Sequence, residues 1–365
     1  MINKLVFENL KHRWVRTLLT AVVIGVQVTL ILTIVGLSEG MLQDSARRAR
    51  GVGAQIWLKP EGSSSFTLAS AQVNEKFVAF VSKQPHVDSA LGVLIAQIFG
   101  FTSMAGVDYD EFVEMTGGVK YLAGGPLRQP DDIIVDQFYQ RQNDIKVGQS
   151  LKILNHQWHV AGVIEEGKLS HIIVSLSRLQ SLTGNAGRVT QIVVKVDNPA
   201  NTQIVINQLN SLLKGNLHAV SIDELTSLYN VNNLPPLKGF INVITALSIF
   251  VGFLVVFLSL YTAVIERTRE IGVLKALGAK PVKILDILIR ETLLLAVFGC
   301  IIGILLSYAA KAVIMWYAPA FLQVVIVPGW WPVAALIAIV GALLGAVYPG
   351  LKAARQDPIE ALAYD

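Results

Sequence analysis

The sequence predicts a membrane α-helical fold: four transmembrane helices, arranged one plus three, with a large α+β extracytoplasmic domain inserted between helices 1 and 2. Three observations predict it. Hydrophobic residues make up 53% of the 365 and charged residues 15%, where soluble domains carry about 25% charged, and the mean hydropathy is +0.54. Charge is absent from four runs, residues 17–38, 239–265, 292–310 and 312–351, and each can house the roughly 20 apolar residues that a spanning helix needs. Between the first two runs, residues 39–238 have the mixed composition of an ordinary water-facing domain.

The elements follow in order. Residues 1–16 read as an amphipathic N-terminal helix on the cytoplasmic side, and 17–38 as the first span. That span is longer than the apolar core of a signal peptide and reads as a retained anchor. Residues 239–265 form the second span, 266–280 a short charged helix, and 281–318 the third span with its lead-in. "APAFLQVVIVPGWWP" begins the fourth run as a Pro-rich turn region, so 319–330 is a loop, 331–351 the fourth span and 352–365 a C-terminal helix.

Lys and Arg set the orientation. Lys4, Lys11, Arg13 and Arg16 precede the first span. Arg267, Arg269, Lys275, Lys280, Lys283 and Arg290 lie between spans two and three, and Lys352 and Arg355 follow the fourth. The connection between spans three and four is uncharged. The positive-inside rule therefore places both termini and the 266–280 segment in the cytoplasm, with 39–238 outside. Arg47, Arg48 and Arg50 oppose the rule, but they open a long exported domain, where it is weak. The same flanking cations account for the net charge of +4 without a nucleic-acid partner. The one cysteine, Cys300, lies in the third apolar run, so no internal disulfide staples the exterior.

Within 39–238, "AQIWLKP" (54–60) reads as a strand. Residues 71–84 read as a helix with Val73, Phe77, Phe80 and Val81 on one face, and 87–101 as a second strand. "TQIVVKVD" alternates as a strand. A helix over 200–214 places Val205, Leu209, Leu212 and Leu213 together, and 217–222 closes with a further strand. Two strand–helix–strand units thus flank residues 102–188, where "SLKILNHQWHVAGVI" carries hairpin signals. The reading is one discontinuous α+β subdomain (about 52–101 and 190–222) with a β-rich subdomain (about 102–188) inserted into it.

"ERTREIGVLKALGAKP" (266–281) stands apart. As a helix it sets Ile271, Leu274 and Leu277 at three-residue spacing on one face, flanked by Val273. Glu266 can reach Arg269 and Glu270, and Arg267 can reach Glu270. Gly278 supplies a stop and Pro281 suits the next first turn. A plain reading is a turn between spans. The sharp punctuation and the alternating charge suit a docking surface for a protein of mixed charge.

That stretch resembles the signature of MacB/FtsX-type ABC transporter permeases, as does the C-terminal "YPGLKAARQDPIEALAYD", and so does the layout of the whole chain. The resemblance implies a non-catalytic homodimeric permease whose cytoplasmic helix docks on a separate ABC ATPase subunit. That ATPase binds the ATP and Mg; this chain needs no cofactor of its own and contains no G-x-x-x-x-G-K-[ST]. It further implies mechanotransmission, in which ATP hydrolysis moves the periplasmic domain to export or extract a substrate, with a periplasmic adaptor and an outer-membrane channel as further partners. An FtsX-like relay controlling a cell-wall hydrolase and a lipoprotein-releasing permease are the alternatives.

Carried over by position, Glu266, Arg267, Arg269 and Glu270 open the coupling helix. Ile271, Gly272, Leu274 and Lys275 enter the ATPase groove, and Gly278 ends the helix. Asp357, Pro358 and Glu360 form a capping-box-like start to the terminal helix, with a second ATPase contact as the other reading. Gly299–Gly303 and Gly341–Gly345 are G-x-x-x-G pairs expected to pack spans three and four together. Gln27, mid-span, is expected to hydrogen-bond across a helix interface. No catalytic or metal constellation stands out. His156 and His159 fall on opposite faces of a strand, and the acids of "DYDEF" lack EF-hand spacing.

Overall fold

The computed structural model of the protein describes residues 11, 14–61, 72–99, 102–317 and 322–356. In chain order these form α1 (Trp14–Arg50), β1 (Ile56–Pro60), β2 (Val73–Asn74), α2 (Lys76–Val81), β3 (Val87–Phe99), β4 (Thr102–Val107), α3 (Tyr109–Met115) and β5 (Tyr121–Gly124). Next come β6 (Asp132–Asp136), α4 (Gln137–Asn143), β7 (Ser150–Ile153), β8 (His156–Ile164), β9 (Ile172–Ser175), α5 (Leu176–Thr183), β10 (Arg188–Val189) and β11 (Gln191–Val196). The chain continues through α6 (Thr202–Leu212), β12 (Leu217–Ser221), α7 (Ile222–Leu228), α8 (Pro235–Glu266), α9 (Thr268–Ala276), α10 (Pro281–Tyr317) and α11 (Trp331–Arg355). Most of the expected N-terminal helix, and Asp357, Pro358 and Glu360, lie outside the described residues.

Two compact units emerge. The inserted unit takes residues 40–234 with the short stretch before Val324. Its sheet runs β12-β1-β11-β3-β4-β9-β6-β8-β5, with β7 added on β8. Neighbours are antiparallel except β4–β9 and β6–β8. Side-chain alternation feeds two cores, one on each face. Ile56 and Leu58 face the cluster that holds Val205 and Leu209, whereas Trp57 faces the one that holds Phe112 and Leu225. Strands covered on both faces lose the apolar–polar alternation, which is why "QIVVKV" of β11 is almost wholly buried. The expected hairpin over 150–164 forms. Leu154 and Asn155 both have positive φ, 53° and 58°, as a two-residue type I′ turn requires.

Three local expectations differ from the outcome. Residues 102–188 do not stand as a separate β-rich body, because β4 pairs with β3 and the strands continue one sheet. The helix expected over 71–84 shortens to α2, with Val73 in a strand, and Phe80 turns outward while Val81 is buried. In α6 the i, i+4 row of Val205, Leu209 and Leu213 packs inward, but Leu212, where the helix ends, is exposed.

The membrane unit combines the chain up to Glu39 with Pro235–Met315 and the residues from Val324 onward. It contains four helices long and apolar enough to cross a membrane among the described residues. Close approach depends on glycine. A Cβ on Gly299 would lie 2.7 Å from Ile24 Cβ, one on Gly303 2.6 Å from the Gly25 carbonyl, and one on Gly345 2.6 Å from the Phe253 carbonyl. The G-x-x-x-G pair of α10 therefore packs on α1, and that of α11 on α8. This corrects the expectation that the two pairs join spans three and four. The motif marks a smooth helix face, but which helix fills it depends on the arrangement of all four. Thr29 reinforces the first contact, donating its hydroxyl to the Gly303 carbonyl at 3.0 Å. Gln27 is buried against Gly252 of α8, where a Cβ would meet its Oε1 at 2.0 Å. Among the described residues its Nε2 has no hydrogen-bond partner.

Candidate coupling site

The charged segment forms a two-faced helix. α8 ends at Glu266, and Arg267 breaks the helix with φ −106° and ψ 16°. α9 then runs from Thr268 to Ala276. Its end is a Schellman motif: Gly278 N–H donates to the Lys275 carbonyl at 2.9 Å and Ala279 N–H to the Leu274 carbonyl at 3.0 Å. Gly278 holds φ +90°, a left-handed conformation that a side chain disfavours. Pro281 opens α10, as expected.

The inward face is tied to the other three spans. Glu266 accepts from Arg16 of α1 at 3.2 Å. Arg267 is buried and pairs with the buried Glu291 of α10 at 3.4 Å. Lys275 donates from Nζ to the Ala354 carbonyl near the end of α11 at 2.8 Å, and also to the Gln356 carbonyl. Lys352 of α11 reaches the Tyr261 hydroxyl of α8 at 3.1 Å and lies over its ring, 4.7 Å from the centroid. Beneath these contacts Ile271 packs with Val264, Ile284, Leu288 and Ala353. A buried ion pair that loses one partner is penalised by about 3–5 kcal/mol, so Arg267 and Glu291 fix the helix firmly. Lys275, which holds the C-terminal carbonyls of α11, also opposes the negative end of its dipole.

The outward face is different. Arg269, Glu270, Val273, Ala276 and Leu277 are exposed, Leu277 at 80%. Leu274 and Lys275 lie between the two faces. Ile271, Leu274 and Leu277 do not share the one face expected of them. At 3.6 residues per turn, each step of three falls short of a full turn by about 60°, so the row drifts from buried to exposed. The expected Glu266 and Arg267 contacts to Arg269 and Glu270 are also replaced, because the break at Arg267 interrupts the i, i+3 and i, i+4 rows. The structure thus brings Glu266, Arg267, Ile271, Gly272 and Lys275 to the bundle, and leaves Arg269 and Glu270 on the open side.

Sequence reasoning missed Arg16, Tyr261, Glu291 and Lys352 as partners in this site. Glu291 had a signal: an acid immediately before the charge-free run 292–310 calls for a buried partner. Elsewhere His156 pairs with Asp131 at 2.8 Å and His159 separately with Asp132 at 3.0 Å; the two imidazoles do not converge.

With this geometry in hand, comparison with known proteins is decisive. Residues 17–212 match the MacB-like periplasmic core domain and residues 242–358 the FtsX-like permease C-terminal domain. The chain belongs to the MacB/FtsX family of ABC transporter permeases. The second match contains α9 whole. Among relatives, an uncharacterized ABC transporter permease of Methanocaldococcus jannaschii is 28% identical over 60% of this chain and 58% of its own. The macrolide export ATP-binding/permease protein MacB of Burkholderia cenocepacia is 26% identical, over 97% of this chain and 56% of its own. That of Photorhabdus laumondii is 25% identical, over 83% of this chain and 50% of its own. The chain thus spans about half the length of the curated relatives it matches. Among solved structures, the periplasmic region of MacB from Actinobacillus actinomycetemcomitans aligns with 49% of this chain and 94% of its own, at 16% identity and a TM-score of 0.39.

Proposed function

We propose that this permease works as a homodimer with an ABC ATPase, that the ATPase binds ATP and Mg and docks on the outward face of α9, and that hydrolysis drives movement of the inserted domain to export or extract a substrate. One observation carries the reading: α9 is fixed on one face to α10 and α11, with α1 tied to Glu266 just before it, and is exposed on the other. A docking helix needs both properties. The bare face gives a partner an apolar pair four residues apart, Val273 and Leu277, with Arg269 and Glu270 at its edge. The tied face passes displacement to the spans without letting the helix roll. Lys and Arg at the α9 end of the bundle support a cytoplasmic location for this face and for both termini, in an inner membrane. The inserted domain then lies in the periplasm, where an adaptor and an outer-membrane channel are the natural further partners. Export is favoured over an FtsX-like relay or lipoprotein release because residues 17–212 match a MacB-like domain.

The test is co-purification in lipid with a candidate ABC ATPase co-expressed with this chain, followed by ATP turnover. Leu277→Glu abolishes association or lowers turnover at least about tenfold, a loss of 1.4 kcal/mol or more in coupling, while the permease stays folded. Association and turnover equal to the native pair contradict the docking face.

A further inference from the structure

The inserted unit holds a buried ionic cluster that the coupling reading does not use. His171, immediately before strand β9 and only 5% exposed, sits between two buried carboxylates. Its Nδ1 hydrogen-bonds Asp136 Oδ2 at 2.7 Å, and its Nε2 lies 3.5 Å from Asp44 Oδ2. The Arg48 guanidinium also contacts that same Nε2 and pairs with Asp44. Among the described residues, further groups face this cluster. Arg47 of α1 donates to Asp44 at 2.8 Å and reaches Glu166 at 3.5 Å, and the Tyr229 phenol after α7 senses Arg48. Gln323 donates to Asp44 at 3.0 Å, and the Phe138 ring lies 5.5 Å from the imidazole. Asp136 is held in place as the N-cap of α4, accepting from Tyr139 N–H at 2.8 Å.

The atoms at Nε2 present a choice. An unprotonated Nε2 accepts a hydrogen bond from Arg48. A protonated Nε2 cannot, and donates instead to Asp44. Both partners stand on α1 four residues apart, on one face of the helix, while Asp136 and His171 belong to the sheet side. We propose that His171 is a proton-operated switch in the docking of the end of α1 onto the sheet, exchanging Arg48 for Asp44 at Nε2 when the imidazole takes up a proton. Protonation also balances charge, since it sets His171 and Arg48 against Asp44 and Asp136. Burial alone lowers the imidazole pKa, but the hydrogen bonds the imidazole gives to Asp136 and Asp44 outweigh it and raise the pKa above the ordinary 6.5. The sign follows. A raised folded-state pKa gives stability that is fully present below 6.5 and is lost as pH rises through the higher folded value. The switch is independent of the ATPase reading, so either can fail alone.

The experiment is an NMR titration of the full chain in lipid nanodiscs with carbon-13 at histidine Cε1, the His171 resonance being identified by its loss in His171→Gln. The native resonance titrates above pH 6.5. Asp44→Asn lowers the midpoint by about one unit, a tenfold change in proton affinity, and Arg48→Gln raises it. Hydrogen exchange of amides 45–51 changes across the same pH range in the native chain and is flat in His171→Gln. A midpoint below 6.5, no titration between about pH 5 and 9, or a midpoint unmoved by both variants overturns the proposal.

Discussion

The two units solve packing in opposite ways. The inserted unit fills its interior with bulk: Trp158, Phe112, Ile133 and Met104 are fully buried, and its strands are Val- and Ile-rich on both faces. The membrane unit buries smallness instead, with Ala334, Ala338, Ala342 and Ala346 stacked along α11 and Gly25, Gly299 and Gly303 letting backbones touch. In lipid no hydrophobic drive separates one apolar side chain from another, so close backbone contact and a few polar ties determine the arrangement. The lesson is that a truncation should injure the first unit and an enlargement the second, while the polar ties around α9 should tolerate neither.

The largest effect sharpens the role of those ties. Glu291→Ala removes one carboxylate from the buried ion pair with Arg267 and costs about 3–5 kcal/mol; the amides of α9 lose hydrogen-exchange protection, and ATPase coupling falls with them. Unchanged protection would make the pair an ornament of the surface. A similar loss, about 3–5 kcal/mol, is expected in the other unit for Trp158→Ala, because its fully buried indole fills the core and donates to the Ile153 carbonyl at 3.1 Å. Here the exchange rates of β7 and β8 report the damage. Gly303→Val enlarges a site with no room and costs about 1–3 kcal/mol, visible as a lower thermal midpoint in lipid, whereas a neutral result breaks the contrast between the units. Leu277→Glu, on the bare face, stays within about 0.5 kcal/mol of native stability, read from the same thermal midpoint.

Much of this was legible in the chain. Four charge-free runs gave the spans, because a bilayer admits no other long helix pattern. The hairpin over 150–164 and the strands at 56–60, 191–196 and 217–221 followed from period-two apolar patterning and turn residues. Pairings across long sequence distances were not legible. Gly299 and Gly303 announced a close approach without naming Gly25 as its object. Arg267 and Glu291, 24 residues apart, became partners only once α9 folded back over α10. The short α9 was visible as a helix, but its faces were misjudged, since a three-residue repeat does not stay on one side of a 3.6-residue helix. His171 gave no signal at all, because its partners at positions 44, 48 and 136 meet only in the folded unit.

The account turns on the two faces of α9, and cysteine accessibility tests them most directly. In a Cys300→Ser background, Ile271→Cys, Val273→Cys and Leu277→Cys are each exposed to a maleimide in lipid, with and without the ATPase. The account predicts rapid labelling at 273 and 277, protection of both when the ATPase binds, and slow labelling at 271 in either state. Rapid labelling at 271 that the ATPase protects, with 273 and 277 still open in the active complex, would contradict it.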